Sequence, residues 1–299
     1  MIREVNEGKL MLSKHSFRKF AMFAAFPLAV FLLVLALPFG QGLYLTFTNW
    51  DGFEYTEFVG SSNYTKSFGD QTFWATLAFT AKFVLVSLIL VNVVAFGLAL
   101  LVTAKLRSSN IFRTFFFVPN LIGGVVLGVI WQFIFNTALV SLSKNFSWPF
   151  FTESWLNKTD TAFWALIIVT VWQLSGYMMI IYITGLISIE QDLLEAARVD
   201  GASALRTLYS IKMPLMAQAF TISLFLTLRG GFMAYDVNVA LTGGGPFRTT
   251  ELISMHIFQE AFAFGNFGTG QSKAVVMFLI VSIAALVQVS ISKRYEVQR

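Results

Sequence analysis

The chain has 299 residues, of which 56% are hydrophobic and 12% charged, with a formal net charge of +5 and a mean hydropathy of +0.70. A soluble domain carries about twice that share of charge, so the composition excludes an ordinary soluble fold, and the basic residues flank apolar runs instead of forming a nucleic-acid patch. No cysteine is present for disulfides, thiolate metal sites or nucleophiles, and the two histidines, His15 and His256, stand too far apart to suggest a metal-centred enzyme.

Residues 1–19 form a basic start with Arg3, Lys9, Lys14, Arg18 and Lys19. The run from Phe20 to Trp50 holds no charge, is too long for a signal-peptide core and lacks a small-residue cleavage pattern, so it predicts a retained first span. An acidic external loop with Asp51, Glu54, Glu57 and Asp70 precedes a second span over about Phe73 to Ala104, interrupted by Lys82. A basic turn with Lys105, Arg107 and Arg113 leads to a third span, about Thr114 to Asn136, and then to a polar loop, Thr137 to Asp160. The fourth span is Thr161 to Ile187 and the fifth about Leu215 to Leu241. An external segment from Thr242 to Gln271 opens with Gly243-Gly244-Gly245-Pro246, and the sixth span, about Ala274 to Ile291, ends in Lys293, Arg294 and Arg299.

Six spans put both termini on one side. The N-terminus, the second-to-third turn, the loop between the fourth and fifth spans and the C-terminus hold most of the Lys and Arg. The opposite loops hold Lys66, Lys144, Lys158, Arg248 and Lys273 among an excess of acids. The positive-inside rule then predicts cytoplasmic termini. The expected fold is all-α: a multi-pass protein with a cytoplasmic segment at 1–19 and a six-span domain over 20–299.

The densest charge away from the N-terminus is Glu190 to Pro214, which the same rule places in the cytoplasm. Ser188-Ile189-Glu190-Gln191 has capping-box spacing for a helix start. Leu193, Leu194, Ala196, Ala197 and Val199 supply apolar positions, with Leu193 and Ala197 one turn apart. Gly201 suits the left-handed residue that ends a helix, and a second short helix over Ser203 to about Ile211 precedes Pro214. Such a loop either lies on the headgroups, with Glu195 and Arg198 as an i,i+3 pair worth a few tenths of a kcal/mol, or protrudes to meet a partner.

The pattern Glu195-Ala196-Ala197, Gly201, Ile211 and Pro214 resembles the EAA signature of ABC importer permeases, with Met213 where the family usually has Leu. Asn49-Trp50-Asp51-Gly52, Phe117-Val118-Pro119, Gly128-Val129-Ile130-Trp131, Tyr235-Asp236 and Leu241-Thr242-Gly243-Gly244-Gly245-Pro246 extend the resemblance over most of the chain. They look like carbohydrate-uptake permeases, and the last is similar to the first permease subunit of the maltose and glycerol-phosphate type. The sequence shows neither the extra N-terminal spans nor the large external insertion of the maltose member.

The resemblance implies a type I importer permease fold and a non-enzymatic transport subunit of a bacterial or archaeal cytoplasmic membrane. It would move a sugar or oligosaccharide received from an external solute-binding protein. A second homologous permease and two ATP-binding subunits would complete the complex, with ATP and Mg held on those subunits. The coupling loop is 188–214, with Glu195, Ala196, Ala197, Asp200, Gly201, Ile211 and Pro214 as its residues; Gly243, Gly244, Gly245 and Pro246 belong to the external gate, 242–271. The chain itself carries no G-x-x-x-x-G-K-[ST] loop, no catalytic residue and no metal site in this reading.

Polar groups inside spans face a cavity or a partner helix. Trp172, Gln173, Ser175 and Tyr177 sit in the fourth span, and Gln173 and Tyr177 share a face, an aromatic beside an amide as a sugar requires. Counting without gaps from the family motif places its substrate contacts on Gln173, Leu174 and Tyr177, and on Thr227, Gly230, Gly231 and Ala234. Arg229 and Asp236 add charge two turns apart, about 10 Å along one helix. Asn92, Asn120, Trp131 and Gln132 are further polar groups, and Lys82 is expected to snorkel outward. Glu251 to Ala263 predicts an external helix. The alternatives are an ion-gradient transporter, for which no intramembrane chain of acids is visible, and a membrane-embedded enzyme, for which no nucleophile–base pair is.

Overall fold

The structure is a computed structural model that describes residues 14–54, 57–104, 109–146 and 149–294. The basic start up to residue 13, Lys105 and Arg107 of the second-to-third turn, and Arg299 lie outside the described residues.

Helix α1 (Lys14–Phe31) passes through a π turn (Leu32–Ala36) into α2 (Leu37–Leu45). A short α3 (Ser62–Gly69) leads to α4 (Gln71–Thr103), whose first turn is capped by Asp70 accepting the Thr72 amide at 2.8 Å. Next come α5 (Ser109–Leu121), α6 (Gly124–Phe133), a π turn (Ile134–Ala138) and α7 (Leu139–Phe146). Two 3-10 turns precede α8 (Thr159–Ile187). The chain continues through α9 (Gln191–Val199), α10 (Ala204–Thr207), a π turn (Leu208–Lys212) and α11 (Met213–Leu215) to α12 (Ala217–Phe232). It ends in α13 (Asp236–Leu241), α14 (Ile253–Phe258) with a π turn (Gln259–Ala263), and α15 (Phe267–Lys293).

Five stretches are long and apolar enough to cross a bilayer: Ala21–Leu45, Gln71–Thr103, Gly124–Phe146, Thr159–Ile187 and Phe267–Lys293. The pair Ala204–Leu215 and Ala217–Phe232, bent by 71°, makes a sixth when taken as one span. Helix α8 is the central post, packed against α4, α5 and α12. Phe83, Leu127, Phe163, Leu166 and Val169 form one buried cluster around it, and Val91, Ala95, Met179, Tyr182 and Met216 form another. At Gly176 an added Cβ would lie 1.8 Å from the Phe116 carbonyl oxygen, so only glycine lets α5 cross α8 this closely. The first span is exposed along its length and leans on α15 through Phe39 and Phe278, 5.6 Å apart edge to face. An apolar surface of this kind is stable only against lipid or another membrane chain.

The spans differ from expectation where proline and glycine intervene. The third divides at Ile122–Gly123, just beyond Pro119, and its helix then runs to Phe146, so half of the supposed polar loop is helical. The fifth ends early, with α12, because the chain leaves the helix at Met233–Tyr235 and turns into α13, which packs on α6. The sixth begins at Phe267, ahead of Ala274. Pro214 does not open the fifth span; it lies in α11, and the bend follows at Met216. The π turns at 32–36 and 208–212 each end two residues before a helix-embedded proline, Pro38 or Pro214. In each, the intervening amide, of Leu37 or Met213, reaches back five residues. Widening the turn there relieves the clash between a proline ring and the carbonyl four residues back.

Candidate functional site

The Glu190–Pro214 loop is a knuckle of two short helices. Helix α9 ends in a complete Schellman closure: the Ala202 amide donates to the Ala197 carbonyl at 2.9 Å and the Gly201 amide to that of Arg198 at 3.1 Å. Gly201 has φ +74°, which costs a residue with a Cβ about 1–2 kcal/mol. Ser203 then caps the second helix by accepting the Arg206 amide at 3.3 Å. The start differs from expectation. Glu190 is the N-cap of α9 and makes no side-chain cap, while Ser188 belongs to the end of α8 and donates to the Gly185 carbonyl at 2.8 Å. Glu195 and Arg198 form no ion pair, for both extend into solvent.

Of the motif residues, Ala197 is buried, Ile211 and Pro214 are half-buried, and Glu195, Ala196, Asp200 and Gly201 are exposed. Val199, Leu205 and Tyr209 are also exposed, at 88%, 67% and 65%. Apolar side chains interleaved with free charges on a knuckle braced by its own hydrogen bonds form a surface ready to be covered. Beneath it, a crevice of about 340 Å³ opens at the bend, lined by Thr184, Gly185, Pro214, Gln218 and Ile222.

The transmembrane residues fall into two groups. Gln173, half-buried, donates to the Ile122 carbonyl at 3.4 Å, while Tyr177 and Arg229 are exposed on α8 and α12. Leu174 and Gly230 face each other, an added Cβ on Gly230 lying 3.9 Å from the Leu174 side chain. Thr227 and Gly231 point elsewhere. Thr227 accepts from the Asn92 amide at 3.3 Å and donates to the Ser223 carbonyl at 2.8 Å, and a Cβ on Gly231 would lie 3.0 Å from Val84. Both belong to the packing of α12 on α4, so neither lines an open face.

Asn92 is the hub of that packing: Tyr182 and Ser223 donate to its oxygen at 2.7 and 2.5 Å, and its amide reaches Leu88 and Thr227. Interhelical hydrogen bonds of this kind average about 0.6 kcal/mol each in a membrane. Arg229 and Asp236 do not share a helix face, because the break at Met233–Tyr235 puts Asp236 in the first turn of α13, against Gly124 of α6. Ala234 is half-buried and its carbonyl accepts from Ser254. Ser175 is buried, Trp172 meets Trp131 edge to face at 5.5 Å, and Gln132 reaches the Leu241 carbonyl at 3.5 Å. Lys82 is exposed with its ammonium 4.7 Å from the Phe163 ring centre.

The segment after α13 combines the Gly243–Pro246 motif with residues the sequence did not single out. Gly243 and Gly244 take φ +57° and +80°, Gly245–Pro246 is cis, and Phe247 and Arg248 have φ +52° and +63°. Asn238 holds this loop, donating to the Thr250 carbonyl at 2.8 Å and accepting the Leu252 amide at 3.0 Å. Phe247 is 96% exposed at the tip. Arg248 grips Glu251 side-on, at 2.6 and 2.8 Å. Burial opposes the Glu251 carboxylate, but His256 and Arg248 outweigh it and hold its pKa down at about 2.

Behind Glu251, Lys273 is 1% exposed. Its ammonium donates to Asp70 at 2.6 Å and Glu260 at 2.8 Å, and lies 3.2 Å from His256 Nε2. Burial likewise opposes the Asp70 carboxylate, yet the Lys273 hydrogen bond and charge and the amides of Phe73 and Thr72 keep its pKa below the ordinary range. The oxygens and nitrogen of Asp70, His256 and Glu260 come within 4.8 Å of one another, as metal ligands would. Here the lysine ammonium is the cation they meet. The signal in the sequence is a lysine and an aspartate heading two apolar spans, with His256 and Glu260 one helical turn apart.

Residues 93–297 match the family described as binding-protein-dependent transport system inner membrane component. The chain is 42% identical over 279 residues to the probable starch degradation products transport system permease protein AmyD of Thermoanaerobacterium thermosulfurigenes, covering 93% of this chain and 94% of that one. It is 30% identical to the multiple sugar-binding transport system permease protein MsmF of Streptococcus mutans, with 92% and 95% covered. A chain of a bacterial alginate ABC transporter, solved with an alginate pentasaccharide-bound periplasmic protein, shares the fold with a TM-score of 0.79 at 18% identity, covering 94% of this chain and 96% of that one.

Proposed function

The chain belongs to the family of binding-protein-dependent transport system inner membrane components, and from that premise we propose that it is the sugar-conducting permease subunit of an ATP-driven importer. Its solute is an oligosaccharide or related sugar, a proposal supported by the names of its starch-product and multiple-sugar relatives. The solute arrives on an extracytoplasmic binding protein at the face carrying Phe247 and passes along Gln173, Leu174, Tyr177, Arg229 and Gly230, with Ala234 and Asp236 near the outer turn. A second, homologous permease supplies the facing wall, and the exposed apolar flanks of this chain meet it and the lipid. Two partner subunits bind and hydrolyse ATP with Mg in the cytoplasm, where both termini of this chain also lie.

The observation that carries this reading is the cytoplasmic knuckle. Its backbone bonds are closed at Gly201, yet Glu195, Val199, Leu205 and Tyr209 remain uncovered by the chain's own helices. A cleft on each ATP-binding subunit covers this surface, with Glu195 as its polar contact, and closure of the two subunits rocks the spans through the bend at Met216. The test is uptake of labelled maltotriose by vesicles holding the full complex. Glu195→Lys and Gly201→Asp are expected to reduce ATP-dependent uptake to background while the spans still insert. Normal uptake by both variants would remove the coupling role.

A further inference from the structure

Lys273 lies in the second turn of α15, buried at the head of a span, where a lone ammonium would be costly. It has three N–H groups, and each is directed to a different element: Asp70 at the cap of α4, His256 on α14 and Glu260 on the following π turn. Because an ammonium only donates, Nε2 of His256 is the acceptor and its ring proton sits on Nδ1, which lies 3.3 Å from Glu251 Oε1 without hydrogen-bond geometry. Glu251 takes the Arg248 guanidinium side-on, and Arg248 also reaches Gln259 at 3.1 Å. A chain of polar contacts, with the neutral His256 ring between its charged members, therefore runs from the exposed tip beside Phe247 to the heads of α4 and α15.

Below this chain lies a small apolar core of Phe73, Ile253 and Val276, one residue from each of α4, α14 and α15. Leu77, Ile257, Met277 and Ile280 from the same elements pack against it, and the charged groups lie beside this apolar contact. Opening the outer end of the bundle by moving α14 and its π turn away from α4 and α15 must pull His256 and Glu260 off the ammonium together, while Asp70 at the head of α4 stays on it. Partial opening leaves unpaired charge in a poorly hydrated seat, which makes the contact close to all-or-none.

We propose that Lys273 is a positioning residue for transport: a tethered cation that latches the segment after Gly243–Pro246 onto the heads of α4 and α15 and holds the outer gate shut until the binding protein docks on the Phe247–Arg248 tip. The inference rests on the importer reading above. A docked partner that draws Arg248 away from Glu251 removes the first link, and the rest of the chain is weakened with it.

The test uses the complete complex in lipid nanodiscs, with Mg-ATP hydrolysis measured with and without the cognate binding protein and maltotriose. Lys273→Met removes the latch but leaves Asp70 and Glu260 as buried charges. A triple variant, Asp70→Asn, Glu260→Gln and Lys273→Met, removes the latch without orphan charges and keeps the test valid if the single variant folds poorly. A latch predicts that hydrolysis without binding protein rises about fivefold in the triple variant, since a conformational equilibrium shifts by the stabilisation removed. Wild-type basal hydrolysis with normal stimulation in the triple variant would overturn the latch. So would loss of both rates in Lys273→Met with full recovery of wild-type behaviour in the triple, which is the signature of charge balance alone. A wild-type complex that the binding protein fails to stimulate would instead overturn the importer reading, and the latch with it.

Discussion

Two regions gather charge near the ends of these spans, and the chain treats them in opposite ways. On the 190–214 knuckle, Glu190, Asp192, Glu195, Arg198, Asp200 and Arg206 all stand in solvent, and no ion pair is recorded among them. Around the segment after α13, Arg248, Glu251, His256, Glu260, Lys273 and Asp70 are joined in one network with Lys273 and Glu251 buried. Paired charge inside a fold sets where its own helices go. Unpaired charge on a hydrogen-bonded knuckle adds little to the stability of the isolated chain, which fits the docking surface proposed above.

Substitutions that remove charge should therefore divide the two regions. The largest effect is expected at Lys273→Met, which strands two carboxylates at a buried seat; breaking such a cluster costs about 3–5 kcal/mol. It would be read as a lower midpoint of thermal unfolding in detergent. Acid should act on the same region. The Glu251 carboxyl is held at about 2 against an ordinary 4.5, so its stabilisation is present above about pH 4.5 and is lost as pH falls toward 2. The difference corresponds to about 3 kcal/mol. The midpoint of thermal unfolding in detergent should fall over that range, and Glu251→Gln should remove this part of the pH dependence. A wild-type midpoint that falls no more than that of Glu251→Gln down to pH 2 would show that the network does not hold the segment.

The smallest effect on stability is expected at the knuckle. Glu195→Lys and Arg198→Met should each leave the unfolding midpoint within the equivalent of about 0.5 kcal/mol, as for exposed sites without partners. A large loss of stability in either would mean that the knuckle is braced by its own charges and would dissolve the contrast. For Glu195→Lys, loss of uptake with an unchanged midpoint is the outcome that separates a docking surface from a structural one.

The knuckle was legible because its signals are local. Gly201 as a left-handed stop and the helix-forming run before it depend only on neighbours in sequence, and the Schellman bonds bear this out. The capping box failed for an equally local reason: Ser188 was claimed by the end of α8. The path residues were legible only in part. Spacing put Gln173 and Tyr177 on one face, but it had no means of showing that Thr227 is taken by Asn92, 135 residues away. The outer network stayed invisible because Asp70 and Lys273 are 203 residues apart and neither is unusual alone.

The sequence by itself determined the membrane class, the approximate position of every span, the knuckle and the family. Long apolar runs, flanking charge and short motifs follow from neighbouring residues and the solvent they meet. The tertiary structure alone decided where spans break at Gly123, Met216 and Met233, which polar groups are used up in helix packing, and that Lys273 is buried. Those outcomes depend on which distant helices come into contact, and a buried charge or a close crossing exists only once a partner element has excluded water from it.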